Sequence, residues 1–153
     1  MKKSVKGYWF YGLSGSGKTF ASQYLSKRIK KNVIIDGDLV RKYISSDLGY
    51  SKKERDKQIS RIAGICNLII ESDKFPIASS AWMNKKIALK LKKDGVIVLK
   101  IDRNLEKIMD CHKTYSNKKN VVGIDIFYEK FKSTIILNSG DKKFYKILKS
   151  LII

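Results

Sequence analysis

The stretch GLSGSGKT, from Gly12 to Thr19, decides the fold of this chain. It fits the pattern G-x-x-x-x-G-K-[ST] without substitution, and it stands between the apolar run GYWFYG and a segment with helical spacing. Glycines in this pattern let the backbone fold tightly and turn its N–H groups towards phosphate oxygens. We call residues Gly12–Thr19 the P-loop, and we predict a strand, a loop and a helix that together bind the phosphates of a nucleotide.

The residue types of the P-loop have separate predicted tasks. Lys18 brings an ammonium group to the β- and γ-phosphates, and Thr19 offers a hydroxyl group to Mg²⁺. The helix that follows directs its positive end at the same anion. The predicted nucleotide-binding residues are Gly12, Ser14, Gly15, Ser16, Gly17, Lys18 and Thr19. The sequence has no NKxD segment of the kind that recognises guanine, so the pattern favours a small-molecule or nucleotide kinase that uses ATP and Mg²⁺.

The rest of the chain alternates apolar runs with segments of helical spacing. Predicted strands are Gly7–Gly12, NVIID, FPIASSAW, GVIVLKID and STIILN; predicted helices are Lys18–Lys30, Ser51–Asp73, a lysine-rich segment, Asn104–Asp110 and the C-terminal DKKFYKILKSLII. Ser51 and Glu54 form a predicted capping box at the start of the longest helix. Strands separated by helices indicate an α/β fold with a central parallel five-stranded sheet that is covered on both faces.

Composition places few further limits on function. The 153 residues, 43% of them hydrophobic, suit one domain spanning 1–153, and we find no internal repeat or linker. The net charge of +19 favours anionic ligands, but the lysines are spread along the chain and do not alternate with aromatic residues as in a single-strand nucleic-acid surface. Cys66 and Cys111 do not have the spacing of metal ligands, and Cys66 fits the core-facing side of a helix. No apolar run is long enough to span a membrane. We expect a reduced, cytoplasmic protein.

Two aspartates follow the second predicted strand in IIDGDLVR, residues 34–41. Asp36 and Asp38 therefore lie at the sheet edge where α/β proteins bind ligands, and Gly37 permits a turn between them. A kinase needs one carboxylate near the acceptor hydroxyl and one near the metal. Alternatively, Asp38 only caps a helix that begins at Leu39. Arg41, one turn further along, is placed to hold a phosphate group of the substrate.

Four blocks together resemble the adenylylsulfate kinase family: GLSGSGKT, DGDLVR, DLGYSKKER and GIDIFYE, in this order and at similar spacing between Gly7 and about Asn138. The family transfers a phosphoryl group from ATP to the 3′-hydroxyl of adenylyl sulfate. The resemblance implies a three-layer P-loop NTPase fold of the nucleotide kinase type. It also implies Mg²⁺, a mobile lid at approximately residues 112–128, and a homodimer as a common assembly.

The resemblance also implies roles for single residues. Asp38 would orient or deprotonate the acceptor 3′-hydroxyl, and Asp36, with Thr19, would support the metal, so that Asp38, Lys18 and Asp36 are the predicted catalytic residues. The predicted acceptor-binding residues are Arg41 and Arg55 for the anionic groups, Tyr50 for the base, and Gln58 and Ile124. From the spacing alone, Arg55 and Gln58 lie three residues apart on one helix face and can reach the same ligand.

Departures from the family pattern lie on the acceptor side. The lid is several residues shorter, Val121 replaces a phenylalanine that would stack on the base, and Trp82 in SAWMNK stands where the family has a serine. Loss of one stacking partner is worth about 1–3 kcal/mol per base. Some similar proteins phosphorylate the 3′-hydroxyl of cytidine diphosphoramidate in capsule modification, so the resemblance leaves two acceptors open.

Two other functions remain open from the sequence. A P-loop kinase acting on a non-nucleotide alcohol would not depend on Tyr50. A non-catalytic basic module that binds nucleotides or RNA would not depend on Asp38, and its affinity would fall steeply with salt. His112, Lys113, Lys118 and Lys119 lie in the predicted lid, and we interpret His112 as a solvated loop residue because phosphoryl transfer relies mainly on positioning and charge.

Overall fold

The computed structural model describes residues 4–109, 115 and 119–153. In this part of the chain, five strands form one parallel sheet in the order β2-β3-β1-β4-β5. The strands are β1 (Gly7–Tyr11), β2 (Asn32–Asp36), β3 (Phe75–Ser80), β4 (Val96–Asp102) and β5 (Thr134–Leu137). The prediction of a parallel five-stranded sheet is confirmed, and β1, which leads into the P-loop, is the central strand.

Six helices connect or follow the strands in the described residues: α1 (Lys18–Ser26), α2 (Gly37–Tyr43), α3 (Lys52–Glu71), α4 (Lys85–Lys93), α5 (Leu105–Met109) and α6 (Lys142–Ser150). The capping box is confirmed, because the Ser51 side chain accepts from the Glu54 backbone and the Glu54 side chain accepts from the Ser51 backbone. None of the helices found in these residues is long and apolar enough to cross a membrane.

Several predicted elements are longer than the observed ones, and two of them end at side-chain contacts with the backbone. α1 ends at Ser26 rather than Lys30, because Asn32 Nδ2 donates to the carbonyls of Ser26 (2.7 Å) and Ile29 (2.6 Å) and so terminates the helix. β3 ends at Ser80 rather than at Trp82, since Ser80 Oγ donates to the Trp82 carbonyl (2.6 Å) and turns the chain out of the sheet. Both endings come from side chains that take up backbone carbonyls.

A hydrophobic layer covers each face of the sheet. On one face, Trp9 and Tyr11 pack with α3 and α4; on the other, Tyr8 and Phe10 pack with α1 and α6. This alternation along β1 is the period-two pattern of a strand that is buried on both sides. Cys66 lies in the first layer as predicted, and burial raises the pKa of its thiol to about 12.

Gly12 joins the central strand to the P-loop with almost no space around its Cα. A Cβ at this position would collide with the Ile101 carbonyl, and the backbone φ is +156°. We therefore expect Gly12→Ala to lower the free energy of unfolding by about 1–3 kcal/mol, as overpacked substitutions do.

Urea unfolding measures the change in the free energy of unfolding caused by Gly12→Ala, with Gly64→Ala as the matched control. Gly64 lies inside α3 with nothing within 4 Å of a Cβ, so alanine there should raise the free energy of unfolding by about 0.5–1 kcal/mol. Equal effects of the two substitutions would contradict the steric argument.

Candidate active site

A cleft of about 880 Å³ opens where β1, β2 and β3 end. The P-loop contributes Ser14, Gly15, Lys18 and Thr19 to its wall. The segments after β2 and β3, together with α3 and residues 119–122, contribute the remainder: Asp36, Gly37, Asp38, Arg41, Tyr50, Arg55, Gln58, Ile59, Ile62, Ser79, Ser80, Ala81, Trp82, Lys119, Asn120, Val121 and Val122. The predicted phosphate-binding lysine and the predicted acceptor aspartate therefore share one cleft.

The P-loop leads directly into the N-terminus of α1. Gly17 is the N-cap residue, with φ +106°, and no side chain caps the helix. The first N–H groups of a helix have no partner within the helix, and together with the helix dipole they favour an anion. The geometry fits a phosphate group at this position.

Lys18 is held inside the P-loop by a hydrogen bond from its Nζ to the Leu13 carbonyl (2.8 Å). Burial lowers the pKa of Lys18 to about 8, although the carboxylates of Asp38 and Asp36 act in the opposite direction. Desolvation disfavours the charged ammonium, whereas nearby negative charge favours it. A phosphate group beside Lys18 would, like the two carboxylates, favour the charged ammonium and raise its pKa.

The two aspartates have different environments. Asp36 is the N-cap residue of α2, and its Oδ1 accepts from the backbone N–H groups of Asp38 (2.8 Å) and Leu39 (3.3 Å). The alternative in which Asp38 caps a helix that begins at Leu39 is wrong, because α2 begins at Gly37 and its N-cap residue is Asp36. The Asp38 side chain is exposed at the cleft wall, where it is accessible to a substrate hydroxyl.

Mg²⁺ fits the oxygen groups that are present. Thr19 and Asp36 both line the cleft, and capping of α2 uses only Oδ1 of Asp36. Across residues 4–109, 115 and 119–153, no group of three or more His, Cys, Asp and Glu side chains is arranged to hold a metal. Mg²⁺ usually takes one or two carboxylates from the protein and the remaining ligands from phosphates and water.

Two arginines give the acceptor side of the cleft its positive charge. Arg41 donates to the carbonyls of Leu48 (3.2 Å) and Gly49 (2.7 Å), and Arg55 donates to those of Tyr50 (3.0 Å) and Asn120 (2.8 Å). Burial, followed by the charge of Arg41, lowers the pKa of Arg55. Because both guanidinium groups bond to neutral carbonyls in these contacts, an anion between them would relieve their repulsion.

Tyr50 and Gln58 also face this cleft, as the sequence predicted. The Tyr50 ring lies 4.5 Å from the Arg41 guanidinium and 5.5 Å from that of Arg55, and the residue is 55% exposed. Gln58 Nε2 donates to the Gly37 carbonyl (3.0 Å), while its buried Oε1 has no partner in the described structure. An unpaired buried acceptor is costly, and a ligand donor would satisfy it.

Trp82 forms a fixed aromatic wall of the cleft. Its ring is stacked on Tyr128 with centroids 5.6 Å apart, and its Nε1 donates to Asp56 Oδ1 (2.8 Å). Val121, the other position that departs from the family pattern, also lines the cleft. Both departures therefore lie in the space available to an acceptor.

Ile124 lies elsewhere. It does not line the cleft and packs against the cluster of Ile108, Tyr115 and Val121. Of the predicted lid, Lys119 lines the cleft, whereas His112, Lys113 and Lys118 are outside the described residues.

Sequence reasoning missed two side chains at strand ends that contact the P-loop from outside the cleft. Arg103, just after β4, donates from NH1 to the Gly15 carbonyl (3.1 Å), and Asn138, just after β5, donates from Nδ2 to the Ser16 carbonyl (2.7 Å). Their position directly after parallel strands is the only signal for them in the sequence, since strand ends of a parallel sheet meet at one edge.

Comparison with known proteins identifies one family. A family model described as Adenylylsulphate kinase matches residues 5–136. The adenylyl-sulfate kinase of Buchnera aphidicola subsp. Schizaphis graminum is 31% identical over 162 residues, which cover 92% of this chain and 77% of that protein. The adenylyl-sulfate kinase of Gloeothece citriformis is 34% identical over 84 residues, covering 52% of this chain and 48% of that protein.

The extent of these matches differs among relatives. In three curated relatives the chain spans about half of the relative's length or less, namely 48%, 37% and 40%. The solved APS kinase of Mycobacterium tuberculosis, in complex with AMPPNP and APS, has a TM-score of 0.80 at 22% identity, with 97% of this chain and 96% of that chain covered. At this identity the likeness shows the fold, and it confirms the predicted three-layer P-loop NTPase architecture.

Proposed function

The chain belongs to the adenylylsulfate kinase family, and on that premise we propose that it transfers the γ-phosphoryl group of ATP to the 3′-hydroxyl of a nucleotide. One observation carries the proposal: Lys18 of the P-loop and Asp38 line the same cleft. A kinase must hold its donor phosphate and its acceptor hydroxyl next to each other. The anion-binding end of α1 and the two arginines opposite it support this arrangement.

The proposed transfer is a single displacement at the γ-phosphorus. A bond forms between the acceptor 3′-oxygen and the γ-phosphorus, and the bond from that phosphorus to the β–γ bridging oxygen breaks. The electron pair leaves with ADP, and the 3′-hydroxyl proton passes to the Asp38 carboxylate and then to water. Asp38 is suited to this role because its side chain is exposed at the cleft, whereas Oδ1 of Asp36 already accepts two hydrogen bonds as the cap of α2.

The other residues of the site position charge. Lys18 would neutralise the phosphate oxygens as negative charge moves towards the β–γ bridge. Thr19 and Asp36 would hold Mg²⁺, which supplies positive charge beside the β- and γ-phosphates when bound. Arg41 and Arg55 would bind the anionic end of the acceptor, and Gln58 Oε1 would accept from one of its polar hydrogens.

The acceptor is a nucleotide with an anionic group at its 5′ side, and two candidates fit. Adenylyl sulfate is supported by the names of the curated relatives. Cytidine diphosphoramidate, an intermediate in capsule modification, is supported by the rebuilt pocket. Trp82 occupies part of the cleft, and Val121 offers no aromatic face, which suits a smaller base. The homodimer and the cytoplasmic location expected from the sequence stay predictions.

A direct assay tests the proposal. The protein is incubated with ATP and Mg²⁺ together with adenylyl sulfate or, separately, cytidine diphosphoramidate, and the nucleotides are analysed by mass spectrometry. We expect one acceptor to gain a phosphoryl group, and its 3′-deoxy analogue, used as the control, to gain none. ATP consumption without transfer to either acceptor would contradict a nucleotide 3′-kinase, as would transfer to the 3′-deoxy analogue.

A further inference from the structure

The carbonyl groups of the P-loop are bound from outside the cleft by side chains that come from distant parts of the chain. Tyr115 Oη donates to the Ser14 carbonyl (2.9 Å), Arg103 NH1 to that of Gly15 (3.1 Å) and Asn138 Nδ2 to that of Ser16 (2.7 Å). We call Tyr115, Arg103 and Asn138 the outer donors. Three consecutive carbonyls of the loop are therefore satisfied by outer donors.

Asn138 is the most firmly fixed of the outer donors. Its backbone N–H donates to the Asp102 carbonyl (2.8 Å), and its Oδ1 accepts from the Gly140 backbone N–H (3.0 Å). These bonds set the orientation of the amide, since the oxygen faces an N–H group and the nitrogen faces the Ser16 carbonyl. Asn138 also packs closely on the loop, because a Cβ on Gly17 would come within 2.5 Å of Asn138 Nδ2.

This contact determines the direction of one loop N–H. In a trans peptide unit the carbonyl and the N–H are coplanar and point in opposite directions. The bond from Asn138 to the Ser16 carbonyl therefore directs the Gly17 N–H to the opposite side of the loop. Gly17 is the N-cap residue of α1, and no side chain caps that helix, so this N–H belongs to the set of donors available to a phosphate.

We infer that Asn138 is a positioning residue for phosphate binding: through the Ser16–Gly17 peptide, it holds the P-loop in the form that accepts the anion before the nucleotide arrives. This inference rests on the proposed function, in which the P-loop binds the phosphates of ATP. Asn138 does not line the cleft and acts through the loop without contacting the ligand. Preorganisation of this kind improves affinity because the loop loses less conformational freedom on binding.

The test compares Asn138→Ala and Asn138→Leu with the unchanged chain. Leucine has the same branched skeleton and number of side-chain heavy atoms as asparagine but donates no hydrogen bond, so it fills the site without the bond to the Ser16 carbonyl. Titration calorimetry measures the Kd for ADP and for inorganic tripolyphosphate, and thermal unfolding without ligand measures stability. Asn104→Ala is the matched control, because Asn104 follows the neighbouring strand and, among the described contacts, its side chain caps α5 through a bond from the Lys107 N–H to its Oδ1 (3.3 Å).

We expect both Asn138 variants to raise the Kd for both ligands by about tenfold and by similar factors, as for loss of one hydrogen bond that organises a site. The Asn104 variant should leave both values unchanged. If Asn138→Leu retains the affinity, Asn138 contributes only packing. If the affinity for ADP alone is lost, Asn138 contacts the nucleoside directly. Either result overturns the inference. A lower unfolding temperature of the Asn138 variants with unchanged Kd values would also overturn it. If the unchanged chain binds neither ligand, the proposed function fails, and the inference fails with it.

Discussion

Asp38→Asn is expected to lower the turnover number by about 10²–10⁴-fold, the usual contribution of a positioned general base. The asparagine has nearly the same shape, but it cannot take the proton from the acceptor hydroxyl. Binding of ADP should change little, because in the proposed function the P-loop and α1 hold the phosphates, whereas Asp38 lies on the wall formed after β2. Steady-state kinetics with saturating ATP, together with ADP calorimetry, measure the two effects separately.

Two further aspartate variants serve as controls for this experiment. Asp73→Asn changes an exposed carboxylate that pairs only with Lys31 in the described contacts, outside the cleft, and should leave turnover unchanged. Asp36→Asn should keep α2 capped, because asparagine caps helices as well as aspartate does, so a loss of turnover there would come from the metal site. If Asp38→Asn keeps at least half of the turnover, Asp38 is not the base.

Nucleotide affinity should depend on pH through Lys18. In the free protein, burial lowers the pKa of this lysine to about 8, and bound phosphate groups raise it again because they stabilise the ammonium. Below pH 8 both states carry the proton, so the Kd is constant. Above pH 8 the free protein must take up a proton to bind, and the Kd should rise by up to about tenfold for each pH unit until the pKa of the bound state is passed.

Tripolyphosphate is the suitable ligand for this measurement, because it carries no base or sugar. Its Kd is determined by calorimetry between pH 7 and 10 for the unchanged chain and for Lys18→Arg. Arginine keeps its charge throughout this range, so the variant should bind with a Kd that varies much less with pH. A Kd that is equally flat for both proteins would show that Lys18 is fully protonated without ligand, contrary to the effect of its burial.

The sequence predicted the features that depend on neighbouring residues. The strand, loop and helix around the P-loop and the Ser51 capping box are local patterns, and the structure confirms them. The alternative in which Asp38 caps a helix from Leu39 was wrong, because the first aspartate of DGD and not the second takes the capping position, and the spacing fits both choices. The contacts of Arg103 and Asn138 join residues about 90 and 120 positions apart, and no local pattern records such a pairing.

The placement of single side chains in the cleft was predicted less completely. Gln58 and Tyr50 line the cleft as expected, but the spacing could not show that Arg41 and Arg55 flank the Tyr50 ring. Ile124 was assigned to the acceptor through the resemblance, yet its side chain packs in the cluster around Ile108. The direction of a side chain in an irregular segment depends on tertiary packing, which hydrophobic periodicity does not report.

The strand order has a consequence for how this enzyme family can diversify. With β1 in the centre, Arg103 and Asn138 reach the P-loop from the β4 and β5 half of the sheet, whereas Asp38 and Trp82 of the cleft wall stand on segments that follow β2 and β3. Mutations can therefore accumulate in one half with little disturbance to the other. The unusual residue Trp82, after β3, coexists in this way with an unaltered GLSGSGKT, and such a division would make this scaffold a favourable starting point for evolving new phosphorylation targets.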